Sequence, residues 1–226
     1  MLEKWVVMFL CFLGAMGLLG MGMSHASTPL PKPSFDGKVS VERAIKERRT
    51  IRDFKDRPLT LMQLSQLLWA AQGITDLKEG KRTVPSGGAL YPLDIYLVIG
   101  KKRAERMEAG VYRYLPEAHS VLLISKGDRR EEIASSSLWQ MWMAKAPVIF
   151  IITAEYLRIT GKYGERGIRY ALIEVGHVGQ NLFLQAEALC LGAGIVGAFS
   201  DADVLKTMGA PSNHEPLLIM PVGYKK

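Results

Sequence analysis

Cysteine is nearly absent from this sequence, with two in 226 residues, Cys11 and Cys190. Cys11 lies inside an apolar amino-terminal run, which leaves Cys190 as the one thiol in the rest of the chain. A disulfide framework and the paired Cys/His spacing of a zinc site are therefore both excluded. We expect Cys190 to be a small, buried, apolar residue.

Histidine is also sparse, and its placement offers no catalytic pattern. His119, His177 and His214 are scattered, and none has a partner at metal-ligand or triad spacing. Glu174 and His177 lie one helical turn apart and are close enough in sequence to touch. We expect a structural pair there rather than a catalytic one.

Several signatures of common enzyme classes are missing as well. No Gly-x-Ser-x-Gly elbow of a hydrolase is present. The glycine-rich loop at residues 85–89 is followed by no Gly-Lys-Ser/Thr and lacks the spacing of a dinucleotide fingerprint. No Lys/Arg-rich run with interleaved aromatics appears, so nucleic acid is not an expected partner. The formal charge of +7 instead favours an anionic ligand.

The clearest compositional feature is an uncharged segment at the amino terminus. Residues 5–23 carry no charge, and Ser24-His25-Ala26 follows as a small-x-small cleavage pattern. This arrangement predicts a signal peptide over residues 1–26, with an uncleaved membrane anchor as the alternative. Either outcome predicts an exported chain. Residues 27–38, rich in proline, are predicted to be a linker before a domain spanning residues 39–226.

Helices and strands are interspersed without regular βαβ alternation, which predicts an α+β fold. Ser40 caps a first helix, and Thr60 to Gln63 form the capping box of a second helix that ends at Gln72. A loop is expected over residues 74–90 and helical structure over residues 128–145. Strands are expected over residues 93–99, 111–115, 120–124, 148–153 and 216–222, and a brief helix over residues 201–208.

The longest predicted element is a helix over residues 166–191, closed by Gly192 as its C-cap. It contains no proline and is apolar almost all round. Such a helix must be covered, either inside the domain or by a second subunit.

Three segments carry the chemistry. Arg48, Arg49 and Arg52, with Thr50 between them, offer donors suited to a phosphate monoester, or form only a solvated basic helix end. The loop of residues 85–89 and the segment of residues 192–198 are rich in small residues. They allow close approach of backbone to a flat ligand, or mark only tight turns. Phosphate-suited arginines without a catalytic side chain suggest that a cofactor supplies the chemistry.

Together these segments resemble the nitroreductase family of flavin proteins, in particular its branch of azoline-oxidase-like (SagB-type) dehydrogenases. Arg48-Arg49-Thr50-Ile51-Arg52-Asp53-Phe54 is similar to the family's Arg-Arg-Ser-x-Arg-x-Phe. Pro85-Ser86-Gly87-Gly88-Ala89-Leu90-Tyr91-Pro92 is similar to the branch's Pro-Ser-Ala-Gly-Ala-x-Tyr-Pro. Residues 192–199 and the Pro221-Val222-Gly223 ending resemble the family's closing pattern.

The resemblance implies an antiparallel sheet flanked by helices, in a homodimer that binds FMN at its interface. It implies cofactor contacts from three sets of residues, with Lys225 or Lys226 as a terminal phosphate contact. The first set is Arg48, Arg49, Thr50 and Arg52. The second set is Ser86, Gly87, Gly88 and Ala89, which in this family often come from the other subunit. The third set is Ile195, Val196 and Gly197. Relatives of the classical type carry Asn at the position of Ala89 and an acidic residue at that of Gly197, which leaves the hydride donor open.

Two interpretations follow. The first is an FMN-dependent oxidoreductase that transfers hydride through flavin N5 to or from a small-molecule substrate. Trp139, Trp142 and Tyr91 then either cover the flavin or simply pack in the core. Because an exported chain meets little NAD(P)H, we expect a quinone or a redox protein as its electron partner. The second interpretation is a catalytically silent dimeric module that keeps the fold to bind a flavin or another ligand.

Overall fold

A computed structural model describes residues 27–226. The predicted signal peptide or anchor of residues 1–26 lies outside this range. Within residues 27–226, none of the helices is both apolar enough and long enough to cross a bilayer.

The elements follow one another as an α+β fold. The strands are β1 (Thr28–Pro29), β2 (Ile74–Asp76), β3 (Lys81–Arg82), β4 (Leu93–Ile99), β5 (Gly110–Leu115), β6 (Ser120–Lys126), β7 (Val148–Ala154), β8 (Gly192–Ala193) and β9 (Glu215–Gly223). The α-helices are α1 (Val41–Glu47), α2 (Leu61–Gln72), α3 (Arg130–Ser136), α4 (Leu157–Tyr163), α5 (Arg166–Ala188) and α6 (Asp201–Met208). Two short 3₁₀ helices span Gly87–Ala89 and Met141–Lys145.

Seven of the strands form one antiparallel sheet in the order β1-β6-β5-β4-β7-β9-β8. The central strands β4 and β7 are buried along their whole length, and they pair from Leu93 opposite Ala154 to Ile99 opposite Val148. Burial on both faces explains their nearly continuous apolar sequence. The predicted antiparallel sheet flanked by helices is confirmed.

Helices cover the sheet on both faces and form two apolar cores. On one face α2 and α5 pack through Leu64, Leu68, Val178 and Leu182 against the side chains of alternate strand positions such as Phe150. The other face is covered by α3, the second 3₁₀ helix and α6, through Ile133, Met143 and Val204. Alternate β4 and β7 residues point into opposite cores, as the period of two in a strand requires.

The predicted helix starts are confirmed in atomic detail. The Ser40 side chain accepts a hydrogen bond from the backbone N–H of Arg43 and begins α1. Thr60 and Gln63 exchange side-chain and backbone hydrogen bonds of 3.0 and 3.1 Å at the start of α2. These local signals were readable because each joins residues three positions apart.

Three predicted elements have different boundaries. Residues 74–90 are not an uninterrupted loop, since they contain the β2–β3 hairpin and a 3₁₀ turn. Residues 128–145 are two short helices rather than one helical region. Leu138 and Trp139, at φ 54° and 57°, take the left-handed conformation, which a continuous helix does not allow.

The long helix also ends earlier than predicted. α5 stops at Ala188, with Leu189 as its cap, and Cys190 reverses the chain at φ 58°. Gly192 is therefore not the C-cap but a residue of β8, paired with Gly223. The prediction of a buried Cys190 is wrong, because its side chain is exposed at this turn.

The two faces of α5 differ. Val178 and Leu182 are fully buried under the sheet, whereas Ile168, Leu172 and Ile173 are 37%, 50% and 54% exposed in the single chain. The outer face of α5 thus carries apolar side chains that no residue of 27–226 covers, and they lie among the exposed Arg169 and His177.

Candidate functional site

The basic segment after α1 runs along the edge of the sheet. The Ile51 N–H donates to the Ala193 carbonyl at 2.8 Å, and Thr50 forms a parallel bridge with Ala193. Four residues on, Phe54 forms an antiparallel bridge with Lys225. The structure therefore brings together the arginine cluster, the start of the glycine-rich segment of residues 192–198 and the carboxyl-terminal lysine.

The arginines of this cluster differ in what they contact. Arg48 is the C-cap of α1, and its guanidinium lies 5.0 Å from the centroid of the Phe183 ring on α5. Arg52 lies 5.8 Å from the ring centroid of Trp142. Arg49 is different, because its Nη1 donates to the backbone carbonyls of Lys46 and Arg48 at 2.9 and 2.8 Å.

Neither Arg48 nor Arg52 forms an ion pair within residues 27–226. Lys225 differs, since its Nζ bonds both carboxylate oxygens of Glu187 at 2.6 and 2.7 Å. Arg48 and Arg52, rather than Lys225, therefore offer the positive charge that a ligand could use. Lys226 pairs loosely with Asp53 at 3.5 Å.

Close packing explains the small residues at positions 192–198. A Cβ at Gly194 would lie 2.5 Å from the Trp142 ring and 2.9 Å from the Ile51 carbonyl, whereas a Cβ at Gly197 would meet nothing within 4 Å. Of the predicted ring-lining residues, Ile195 and Gly197 are exposed, and Val196 is buried and bridged to Ile219. The segment follows a helix and joins an antiparallel strand, so it forms no phosphate-binding βα turn.

The loop of residues 86–89 is tightly bent. Gly88, Ala89 and Tyr91 have φ values of 65°, 55° and 45°, which is unusual for the two non-glycine residues. The Ser86 hydroxyl oxygen holds the bend by accepting a hydrogen bond from the Tyr91 N–H at 2.9 Å. Ala89 and Tyr91, which are not glycines, are held in the left-handed region at a cost in free energy, which is common where a loop contacts a ligand.

This loop lies far from the arginine cluster in the same chain. A Cβ at Gly87 would touch Tyr170, near the start of α5, whereas Arg48 stacks on Phe183 near its end. Those two α5 residues are separated by about 20 Å along the helix axis at the standard rise. The structure therefore does not bring Ser86, Gly87, Gly88 and Ala89 to the arginines within one chain.

The aromatic residues near the site have three different environments. Trp142 packs against Phe54 with ring centroids 6.4 Å apart and closes over Gly194. Trp139 is 77% exposed. Tyr91 stacks under the guanidinium of Arg82, 4.5 Å from the ring centroid. Of these three predicted aromatic residues, Trp142 thus contacts the arginine cluster, through Arg52.

The expected pair of Glu174 and His177 is absent from the described part of the chain. Glu174 is 1% exposed and accepts a hydrogen bond from Gln72 Nε2 at 3.2 Å. His177 is on the exposed side of α5. No local pattern marks Gln72 as the partner of Glu174, because the two residues are 102 positions apart.

A second polar cluster, missed from the sequence, lies at one end of the sheet. Asp94, Glu155 and His214 bring their ligand atoms within 4.8 Å of one another, as a metal site would. Arg158 and Arg113, however, each contact Asp94 at 2.8 Å and neutralise the carboxylates. Burial lowers the pKa of His214, which favours its neutral form. We interpret the cluster as a structural ion-pair network.

An apolar groove of about 770 Å³ adjoins the helix that ends at Arg48. It lies between residues 34–41, α2 and the last turns of α5. Phe35 and Trp69 pack in its wall with ring centroids 5.3 Å apart and ring planes tilted by 52°. Its size and apolar lining are those of a small-molecule pocket.

The chemistry of the arginine cluster fits an anionic phosphate group. Two guanidiniums without carboxylate partners in residues 27–226 and the Thr50 hydroxyl lie along one edge of the sheet, where Thr50 and Ile51 contact Ala193. Guanidinium forks match phosphate oxygens in geometry and charge. Further along the same segment the backbone at Gly197 is open, since a Cβ there would meet nothing within 4 Å.

Comparison with known proteins assigns these features to a family. The family model described as "Nitroreductase family" matches residues 45–224. The Methanocaldococcus jannaschii protein MJ1384, which bears a nitroreductase name, is 44% identical over 188 residues, covering 83% of this chain and 92% of the relative. The microcin B17-processing protein McbC of Escherichia coli is 30% identical over 155 residues, covering 66% of this chain and 56% of McbC.

Solved structures show the same fold. A nitroreductase-type crystal structure from Ralstonia eutropha superposes with a TM-score of 0.78 at 27% identity, covering 88% of this chain and 90% of the other. A chain of the Escherichia coli microcin synthetase McbBCD complex gives a TM-score of 0.66 at 23% identity, covering 96% and 85%. The second likeness is one of fold.

Proposed function

We propose that this chain, which belongs to the nitroreductase family, is an FMN-dependent oxidoreductase that acts on a small-molecule substrate. The observation that carries the proposal is the exposed edge where Arg48 and Arg52 lie without carboxylate partners in the described residues, next to the small residues at positions 192–198. Family membership supports it, since members of this family typically bind FMN.

Different residues would bind different parts of the cofactor. Arg48, Thr50 and Arg52 would bind the phosphate and nearby polar atoms, while Arg49 contributes less because its guanidinium is committed to backbone carbonyls. Ile195 and Gly197 would lie along the ring system. When bound, FMN supplies hydride transfer through its N5 atom, and the protein contributes position, charge and exclusion of water.

The strained loop of residues 86–89 would complete the site from a second copy of the chain. Within one chain it is about 20 Å from the arginine cluster, measured along α5. Pairing of two exposed α5 faces in opposite directions would bring one copy's loop towards the other copy's arginines. The proposal is therefore a homodimer with two shared sites.

Colour and cofactor release test the proposal first. We expect the purified protein to be yellow, to show flavin absorption and to release FMN on denaturation. A protein that stays colourless after incubation with FMN would contradict the oxidoreductase and favour a silent module of the same fold.

Substitution then locates the site. Arg48→Ala and Arg52→Ala should each raise the FMN dissociation constant about tenfold or more, since each removes a charge-assisted hydrogen bond. Arg43→Ala is the matched control, because Arg43 lies on the same helix and already pairs with Glu47. Equal FMN affinity in all three variants would place the phosphate elsewhere.

The uncharged run of residues 5–23 motivates a further part of the proposal: the protein is exported and exchanges electrons with a membrane quinone or a redox protein. Cell fractionation with amino-terminal sequencing of the mature chain tests it. Recovery of the protein in the cytoplasm with Met1 or Leu2 intact would overturn this part alone.

A further inference from the structure

The carboxyl-terminal tail, residues 224–226, lies along the basic segment that follows α1. The Lys55 N–H donates to the Tyr224 carbonyl at 2.9 Å, and Phe54 forms an antiparallel bridge with Lys225. The tail thus pairs with the end of the basic segment as a short antiparallel strand does. The segment that carries the proposed phosphate ligands is therefore attached to the last residues of the chain.

One ion pair anchors this tail to the end of α5. The Lys225 Nζ donates to both carboxylate oxygens of Glu187, at 2.6 and 2.7 Å. The Glu187 side chain is 10% exposed, and the Lys225 side chain is 34% exposed. Because the carboxylate is largely removed from water, solvent screens this pair less than it screens a surface pair. Loss of one partner from such a pair is correspondingly costly.

The Lys225 side chain reaches Glu187 by passing over Gly192. A Cβ at position 192 would lie 3.0 Å from the Lys225 Cγ and 2.6 Å from the Ile51 Cγ1. The absence of a side chain at Gly192 therefore leaves room for the tail on one side and for the basic segment on the other. The glycine that the sequence suggests as a C-cap is explained instead by this close packing.

The basic segment is held from two sides. On one side the Ile51 N–H donates to the Ala193 carbonyl of β8 at 2.8 Å. On the other side the tail holds Phe54 and Lys55. Arg52 lies between these two attachments, so the position of its backbone depends on both.

The ion pair also lies close to Arg48. The Arg48 guanidinium is 5.0 Å from the centroid of the Phe183 ring. Glu187 follows Phe183 by one turn of α5 and lies on the same side of that helix. Both carboxylate oxygens of Glu187 are engaged by Lys225, which leaves the Arg48 guanidinium available to an anion.

We propose that Glu187 is a positioning residue for the phosphate site. Through Lys225 it anchors the carboxyl-terminal tail against the basic segment and so holds Arg52 in place for the phosphate. Lys225 acts in this arrangement as the anchor of the tail and not as a phosphate ligand. The inference rests on the proposed function, because it takes the FMN phosphate as the anion bound beside the tail.

Glu187→Gln separates the two roles of Lys225, because glutamine keeps the shape of the side chain and removes its charge. If Lys225 anchors the tail, its weaker hydrogen bond to glutamine loosens the basic segment, and the FMN dissociation constant rises about three- to tenfold. If Lys225 binds the phosphate, its release from Glu187 lowers that constant. Flavin fluorescence measures the constant, and a lower or unchanged value would overturn the proposal.

The matched control is Glu108→Gln, which makes the same substitution in an exposed ion pair. Glu108 lies 3.3 Å from the Lys126 Nζ, and both side chains are more than two-thirds exposed, at 72% and 74%. This variant should keep the FMN affinity of wild type, because neither residue contacts the tail or the basic segment. A loss equal to that of Glu187→Gln would assign the effect to net charge alone and overturn the role of the anchor.

Exchange of the two charges gives a rescue test. In Glu187→Lys combined with Lys225→Glu the ion pair forms with reversed polarity, and the tail is anchored again. We expect the FMN dissociation constant to fall below that of Glu187→Gln, towards the wild-type value. A constant as high as that of Glu187→Gln, or higher, would show that the phosphate needs the Lys225 ammonium itself. Should the doubly substituted protein fail to fold, Glu187→Gln alone decides.

Amide hydrogen exchange tests the anchor without FMN. Peptides that cover residues 53–57 should exchange faster in Glu187→Gln than in wild type, while β4 and β7 keep their protection. Unchanged exchange of residues 53–57 would overturn only the role of Glu187. Wild-type protein that binds no FMN contradicts the proposed function instead, so the two failures are distinguishable.

Discussion

At the scale of single residues, alanine substitutions at Gly194 and at Gly197 are predicted to affect stability differently, although the two glycines lie three positions apart. Alanine at 194 would drive its Cβ into the Trp142 ring and towards the Ile51 carbonyl, at 2.5 and 2.9 Å. Because the backbone atom cannot move away freely, we expect Gly194→Ala to lower the free energy of unfolding by about 1–3 kcal/mol, as overpacking does. Chemical denaturation measures this change.

Gly197→Ala is the matched control, since its Cβ would enter open space. Its free energy of unfolding should stay within about 1 kcal/mol of wild type, while its FMN affinity falls if the flavin ring lies there. Equal stability of the two variants would show that Trp142 does not close over residue 194.

Contacts that could be predicted from the sequence differ from those that could not in how many positions separate the two contacting residues. Arg48 and Arg52 could be proposed as phosphate ligands from the sequence, because guanidinium chemistry is a property of the residue itself. Glu187, which binds Lys225, and Gln72, which binds Glu174, lie 38 and 102 positions from their partners. No local pattern marks such a pair, so the sequence predicted free donors where the structure shows a paired lysine.

At the scale of elements, His119 fastens the amino-terminal strap, residues 28–34, to the sheet and to α2. Its backbone carbonyl accepts the Leu30 N–H at 3.0 Å, and its ring bonds Ser65 Oγ at 2.7 Å and Tyr114 OH at 2.8 Å. The Pro31 carbonyl meets the same ring at 3.0 Å. One side chain thus joins three elements.

His119→Ala should therefore loosen the strap without unfolding the core. We expect faster amide hydrogen exchange over residues 28–34, with protection of β4 and β7 unchanged. His177→Ala, which removes an exposed histidine from α5, is the control. Unaltered exchange of the strap in His119→Ala would mean that β1 pairing alone holds it.

The buried His214 is expected to make the free energy of unfolding depend on pH. Burial lowers its folded-state pKa below the ordinary value of 6.5, so the unfolded chain binds a proton more readily than the folded one. Stability is then full above pH 6.5 and falls as the pH drops below it, by at most about 1.4 kcal/mol per pH unit for one group. His119 acts in the same direction.

Urea unfolding of wild type and His214→Gln between pH 5 and 8 measures this dependence. The variant should lose part of the decline below pH 6.5, because glutamine does not titrate. An identical decline in both proteins would assign the acid sensitivity to groups other than His214.

Capping signals and apolar periodicity predicted most elements, since both act within a few residues. The division of residues 128–145 into α3 and a 3₁₀ helix was not predictable in this way. It arises from Leu138 and Trp139 in left-handed conformations, which their side chains do not favour and which only the packing around them imposes.

At the scale of the whole molecule, the single chain leaves part of α5 uncovered, although the sequence predicts that this helix must be covered. One face lies on the sheet, and the other leaves Leu172 and Ile173 half exposed. Periodicity predicted a helix that is apolar almost all round, whereas the structure exposes Arg169 and His177 on its outer face. Which side would remain exposed was not predictable, because that depends on how the helix docks on the sheet. The same helix also separates the strained loop from the arginine cluster, so both observations point to a second copy.

We expect Leu172→Glu to convert the proposed dimer into a monomer, since burial of a carboxylate between two α5 helices costs its hydration. FMN should be lost with the dimer, because the loop of residues 86–89 and the arginines then no longer meet. Sedimentation equilibrium and flavin absorption on the same sample follow both properties. Leu77→Glu, at an 87% exposed position between β2 and β3, should change neither. A Leu172→Glu monomer that keeps FMN at wild-type affinity would place the whole cofactor site within one chain, and the separation along α5 would then have to be bridged by the ligand itself.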